Sequence, residues 1–235
     1  MKKLLRKIVL GHKSDSDSFV NYYRKLGTHI GERTVVYEPT KTFIDITRPW
    51  MISIGDDVKI TRGVTILTHG YDWSVLKGIN DTVIGSCGEV TIGNNVFIGM
   101  NAMILKGVHI GNNVVIGANS LVNKDVPDNC VVAGNPARVI MPIDEYLVKR
   151  TAVQKQEAFE LYHNYVKHMG KEPPVEAFNE FFWLFAKRDE QLCECFKKQM
   201  NSHGRFDETM EKFKASSPEF DGYEEFKKTA RSFYD

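Results

Sequence analysis

His69 stands in the run T-H-G-Y-D-W and is the histidine placed to move a proton beside groups that can hold a hydroxyl-rich molecule. An imidazole ordinarily titrates near pH 6.5, so it can take a hydroxyl proton and return it at neutral pH. Tyr71, Asp72 and Trp73 follow directly, and Asp45, Arg48 and Trp50 come earlier in the chain. Aromatic faces stack on sugar rings, and charged side chains bond hydroxyls. These six are the candidates for binding an acceptor. His109 ends a regular repeat and reads as a surface residue.

The elements that must position these residues repeat in sixes. From Ile92 the chain reads I-G-N-N-V-F, I-G-M-N-A-M, I-L-K-G-V-H, I-G-N-N-V-V, I-G-A-N-S-L, V-N-K-D-V-P. Ile or Val opens each unit, and Val96, Ala102, Val108, Val114, Ser120 and Val126 follow four places later. Six matches neither the helical period nor the alternation of a lone strand. It suits a short strand and a tight turn, stacked unit on unit around an apolar interior, three units to a triangular coil of a parallel β-helix.

The same register reaches back through Ile66, Ile60 and Ile54 to Ile30, with irregular units at Thr42 and Arg48. Ile66 and Ile92 are 26 positions apart, which is not a multiple of six. The register breaks inside 70–91, and that segment must leave the coil at least in part. His69 stands where the coil ends and this loop begins, and loops on rigid scaffolds carry function.

The fold class expected is mainly β, with helices at both ends. Residues 1–29 read as a short helical cap over the open end of the coil, because Ser14 to Ser18 supply N-caps and Phe19, Tyr22, Tyr23 and Leu26 recur at helical spacing before Gly27. Residues 30–141 form the repeat domain with its ejected loop 70–91. Residues 142–235 read as a helical extension, with stripes such as Ala158, Leu161, Tyr162, Tyr165 and Phe178, Phe181, Phe182, Phe185 as packing surface.

The formal net charge of +1 gives no reason to expect nucleic acid as partner. The apolar run Ile8–Leu10 is too short for a secretory leader, and no stretch suits a membrane span, so a cytoplasmic location is expected. Cys87, Cys130, Cys193 and Cys195 are read as free thiols, the last two falling in a helical pattern where residues two apart do not share a face.

The pieces I-T-R-G-V-T-I-L-T-H, T-I-G-N-N-V-F-I-G, G-A-N-S-L-V-N-K-D-V-P and A-G-N-P-A-R-V-I resemble the hexapeptide-repeat acyltransferases, among them the maltose/galactoside and capsular-polysaccharide O-acetyltransferases. The resemblance covers about residues 30–141. It implies a left-handed parallel β-helix, a homotrimer with active sites between subunits, and acetyl-CoA as donor. It implies His69 as general base, main-chain donor contacts at Met100 and Ala118, and Asn123, Lys124 and Arg138 toward the nucleotide. Phe97 stands where the family often has Trp, and Met141 where a second basic residue is common. The acceptor set is not carried over, because 40–52 do not match the sugar-binding positions of the galactoside enzymes.

The reading is an acetyl-CoA-dependent O-acetyltransferase of a saccharide or polysaccharide precursor, by direct transfer, with no metal required. Cys87 is the rival nucleophile. Alternatives on the same fold are N-acetylation of an amino sugar, acetylation of a xenobiotic, a metal hydratase, and a non-catalytic scaffold whose helical tail binds a partner. Zinc would need about three converging histidines, and only His69 is well placed.

Overall fold

Short strands joined by turns at positive φ are what the sixes fold into. The computed structural model describes residues 2–202 and 204–233, with side chains from residue 5 onward. The first coil contains β1 (His29–Ile30), β2 (Val35–Val36) and β3 (Phe43–Ile44), and the second β4 (Ile52–Ile54), β5 (Lys59–Ile60) and β6 (Thr65–Ile66). The third contains β7 (Val90–Ile92), β8 (Val96–Ile98) and β9 (Met103–Ile104), and the fourth β10 (His109–Ile110), β11 (Val114–Ile116) and β12 (Leu121–Val122). Successive strands fall in rotation on three sheets, ordered β1-β4-β7-β10, β2-β5-β8-β11-β13-β14 and β3-β6-β9-β12. Here β13 (Cys130–Ala133) and β14 (Arg138–Pro142) form an antiparallel pair that ends the second sheet, whereas the coil strands pair in parallel.

The register puts like residues above one another. Ile54, Ile92 and Ile110 align, as do Ile60, Ile98 and Ile116, and Ile66, Ile104 and Val122. None of these nine is more than 3 % exposed. Each such burial contributes about 1.5–3 kcal/mol. Asn95, Asn101, Asn113 and Asn119 turn the corners at φ of 55–58°, a conformation that costs Asn less than most residues. The Asn95 amide donates to Asn113 at 2.9 Å and that of Asn113 to Asn129 at 2.8 Å, so one corner carries a side-chain ladder.

The first and second coils both depart from the sixes, and the larger part of each departure falls on the same corner. From Ile30 to its partner Ile54 the chain takes 24 residues, against 18 from Ile92 to Ile110. Two of the six extra lie before Ile44, which takes the inward place that the simple register assigns to Thr42. The other four lie between β3 and β4, where the 3-10 turn Pro49–Met51 sits. The sequence register survives across this coil because the two insertions together equal one repeat. The larger excursion, 67–89, leaves between β6 and β7, directly over the first because β3 and β6 are paired. It carries α3 (Trp73–Asn80).

The N-terminal segment forms α1 (Lys2–Leu10) and α2 (Ser16–Lys25). Asp15 caps α2 by accepting from the Ser18 N–H at 2.8 Å, and that bond, helped by Ser14, pulls its pKa down to about 2. Phe19, Val20 and Tyr23 of α2 join the core of the coil. The Tyr23 hydroxyl donates to the Ile44 carbonyl at 2.9 Å. Helix α2 thus covers apolar side chains and strand groups that an open end would expose.

The chain divides into compact units of residues 1–146 and 147–235. The second holds most of α4 (Ile143–Met169), then α5 (Glu194–Met200), α6 (Phe206–Ala215) and α7 (Gly222–Ser232). Its own core includes Phe159, Phe178, Phe182, Phe185, Phe213 and Phe226. The stripe from Phe178 to Phe185 is not one helix: Val175–Phe178 and Phe182–Leu184 are 3-10 turns. Rings three apart suit a 3-10 turn as well as an α-helix. Cys193 corrects the reading of its pair. It is the extended N-cap of α5, outside the helix, so its sulfur lies 2.6 Å from that of Cys195. Among the described residues no helix is long and apolar enough to cross a membrane.

Candidate active site

The doubled corner above β3 and β6 brings together residues that the sequence keeps apart. Asp45 follows β3 directly, its N–H donating to the Ile66 carbonyl at 3.0 Å, so it lies under the start of the long excursion. Its side chain is fully buried. Oδ1 accepts from the Thr47 N–H at 2.9 Å and the Thr47 hydroxyl at 2.7 Å. Oδ2 accepts from the Thr68 N–H at 3.0 Å and the Thr68 hydroxyl at 2.5 Å, and lies 2.5 Å from His69 Nδ1. Burial alone would raise the pKa of this carboxyl. The bonds from Thr68 and Thr47 outweigh it and hold Asp45 well below the usual carboxylate range.

A buried carboxylate can only accept, so His69 Nδ1 carries the hydrogen. The Thr47 hydroxyl, 3.2 Å from the same nitrogen, spends its own hydrogen on Asp45 and offers Nδ1 a second acceptor. That leaves the lone pair on Nε2. The Tyr71 ring meets the His69 ring edge to face, with centroids 4.8 Å apart.

The feet of the excursion are tied where His69 sits. Gly70 N–H donates to the Ser86 carbonyl at 3.3 Å and Gly88 N–H to the Thr68 carbonyl at 2.9 Å, with His69 opposite Cys87. A cavity of about 300 Å³ lies between the two excursions, lined by His69 together with Arg48, Trp50, Tyr71, Trp73 and Ser86 among others. Of the acceptor candidates, Arg48, Trp50, Tyr71 and Trp73 line it. Asp45 lies behind His69, occupied on both oxygens. Asp72 is exposed, outside the lining, with its carboxylate against Gly70. Thr47 and Thr68 escaped the sequence reading. Thr68 adjoins His69, but only the pairing of β3 with β6 shows that its hydroxyl reaches Asp45. Cys87 is exposed and outside the cavity lining.

The donor candidates are all exposed and fall into separate groups. Met100 and Ala118 occupy one corner on successive coils, with Asn119 N–H donating to the Met100 carbonyl at 2.8 Å. Asn123 and Lys124 lie past β12, on the opposite edge of the sheet β3-β6-β9-β12, the edge from which the His69 excursion departs. Lys106 shares that edge, its Cε 3.8 Å from where a Cβ on Gly70 would stand. Arg138 is on β14, donating to the Ala137 carbonyl at 2.7 Å. Among the described residues no group of three or more His, Cys, Asp or Glu could hold a metal ion.

The family model described as bacterial transferase hexapeptide (six repeats) matches residues 89–124. Protein CapG of Staphylococcus aureus is 43 % identical over 150 residues, 63 % of this chain and 83 % of that protein. Galactoside O-acetyltransferase of Escherichia coli strain K12 is 41 % identical over 102 residues, 43 % of this chain and 49 % of that protein. A crystal structure of a hexapeptide-repeat-containing acetyltransferase from Vibrio cholerae is 25 % identical and covers 60 % of this chain and 89 % of its own, with a TM-score of 0.46.

Proposed function

The chain belongs to the bacterial hexapeptide-repeat transferase family and is an acyltransferase, and from that premise we propose that it moves an acetyl group from acetyl-CoA to a hydroxyl of a saccharide. The observation that carries the reading is the buried Asp45 carboxylate 2.5 Å from His69 Nδ1. It fixes the tautomer that leaves Nε2 basic, and His69 lines a cavity with aromatic rings. His69 is the general base and Asp45 its positioning residue.

In this reading His69 Nε2 takes the acceptor hydroxyl proton as that oxygen bonds to the acetyl carbonyl carbon. The tetrahedral intermediate collapses, the carbon–sulfur bond breaks, and the imidazolium returns the proton to the CoA sulfur. No acyl-enzyme forms. Arg48, Trp50, Tyr71 and Trp73 hold the acceptor. Met100 and Ala118 would meet the pantetheine arm through their main chain, and Asn123, Lys124 and Arg138 the nucleotide. The split of Met100 and Ala118 from Asn123 and Lys124 across opposite edges of one sheet, with Arg138 on another, suits a donor groove shared by neighbouring subunits of a trimer. The coil is taken as left-handed and residues 30–141 as the catalytic body, with 142–235 auxiliary. Relatives named as acetyltransferases, one of them a galactoside O-acetyltransferase, support donor and acceptor alike.

The test is thiol release from acetyl-CoA with a panel of saccharides, for the wild type, His69→Ala and Cys87→Ser. Saccharide-dependent release that survives Cys87→Ser and vanishes in folded His69→Ala supports direct transfer. An acetylated enzyme trapped in single-turnover mass spectrometry would overturn it.

A further inference from the structure

We infer that the acceptor carries an oxyanion, a carboxylate or a phosphate, and that Arg48 binds it. This rests on the saccharide reading above and narrows it to acidic saccharides.

The cavity beside His69 has no Asp or Glu in its lining, and its one permanently charged lining residue is Arg48. That side chain is half-buried and has no hydrogen-bond or ion-pair partner among the described residues. Of the other arginines of the same unit, Arg33 grips Asp57 at 2.8 and 2.7 Å and Arg24 bonds the Ile30 and Gly31 carbonyls at 2.9 and 2.8 Å, whereas Arg6 and Arg62 are exposed and lie outside the cavity lining. Asp45, three residues away, makes no ion pair with Arg48, its two oxygens being taken up by Thr47, Thr68 and His69.

The backbone around Arg48 is fixed while its guanidinium stays available. Thr47 is bonded to Asp45 through both its N–H and its hydroxyl. Pro49 begins the 3-10 turn, and Met51 N–H donates to the Arg48 carbonyl at 3.0 Å. A fixed main chain carrying an unpaired fork of donors is suited to bidentate capture of a carboxylate or phosphate. Trp50 and Tyr71 are 68 % and 66 % exposed, flat rings on which the sugar body can lie. A neutral sugar filling the cavity would strip water from the guanidinium and return no charge. An acidic sugar would supply the missing partner and bring its hydroxyls toward His69.

Tryptophan fluorescence reads this directly, since Trp50 and Trp73 line the cavity and Trp183 lies in the helical unit as a constant background. Glucose, glucuronic acid and glucose 1-phosphate are titrated into wild type, Arg48→Gln and Arg48→Lys. At low salt the acids should bind wild type with Kd at least about tenfold lower than glucose, a preference typical of one charge-assisted bidentate contact. Arg48→Gln should abolish that gap and Arg48→Lys restore part of it, the acids losing more affinity than glucose does. The tighter of the two acids identifies carboxylate or phosphate as the group read. Equal binding of glucose and both acids overturns the inference, as does an equal loss for all three sugars in Arg48→Gln when Arg48→Lys binds like wild type. CoA release with no preference for acids leaves the acetyltransferase reading standing and removes this one. Acid-selective, Arg48-dependent binding without CoA release does the reverse.

Discussion

Asp45 Oδ2 lies 2.5 Å from His69 Nδ1, with the carboxylate fully buried and the imidazole 12 % exposed. The two residues are 24 apart in the chain and meet because β3 and β6 pair in register, Ile44 beside Ile66, with Asp45 just past one strand and Thr68 and His69 just past the other. Orientation and tautomer of the proposed base are therefore set by a contact between adjacent coils.

Asp45→Asn tests that contact with little change of shape. The amide keeps one acceptor but loses the charge that favours the Nδ1–H tautomer. Its NH₂ must also face donors that the carboxylate now accepts from. CoA release at saturating substrates should fall by about 10² or more, within the range ascribed to general-base catalysis. The KM for acetyl-CoA should stay close to wild type. A full-rate Asp45→Asn enzyme would remove Asp45 from the mechanism.

The same carboxyl makes stability depend on pH. Its folded pKa lies below the unfolded value of about 3.9, so its contribution is complete above that value and is lost as pH falls toward the folded one. Urea midpoints measured from pH 7 to pH 3 should hold and then drop below about pH 4. The drop should be shallower in Asp45→Asn. Equal slopes in the two proteins would mean that Asp45 is not held ionised.

Much of the coil is legible in the sequence because its period is enforced by packing. Each Ile or Val that opens a unit from 92 to 122 marks an inward residue, and Asn95, Asn101, Asn113 and Asn119 mark turns at positive φ. His69 is legible because a break in that period points to it. The Asp45–His69 pair is not, since it depends on how two insertions of different length divide about β3 and β6. The helical unit is legible as aromatic packing but not as elements. Ring spacing fits 3-10 and α turns alike, and no period fixes Cys193 outside α5.

Ile98 measures how tightly the interior is packed. It is fully buried between Ile60 and Ile116 in adjacent coils. Ile98→Val should cost about 0.5–1.5 kcal/mol and Ile98→Ala about 2–5 kcal/mol by denaturant unfolding. A loss under about 1 kcal/mol for Ile98→Ala would show a coil able to collapse around the gap.

Tyr23 links helix α2 to the first coil through its bond to the Ile44 carbonyl, one residue before Asp45. Burial pushes its pKa up to about 12. A raised folded pKa means that stability is full below the unfolded value of about 10 and is lost as pH climbs from there to about 12. Tyr23→Phe should cost about 1 kcal/mol at pH 7 for the lost hydrogen bond. It should also flatten the alkaline loss. An unchanged alkaline profile would place that transition on other groups.

Trp50 and Trp73 come from the two excursions that face each other across the cavity, one from each coil. If they form the walls against which the sugar stacks, removing either ring should weaken acceptor binding without touching the donor. Stacking on one aromatic face contributes about 0.5–1.5 kcal/mol beyond buried area, so Trp50→Ala and Trp73→Ala should each raise the acceptor KM by roughly 3- to 10-fold. The KM for acetyl-CoA should stay within about twofold, because the donor candidates lie on other coils. Ser86 lines the same cavity without a ring, and Ser86→Ala should have a smaller effect on both constants. A tryptophan variant that changes the donor KM and leaves the acceptor KM alone would reassign this cavity to the donor.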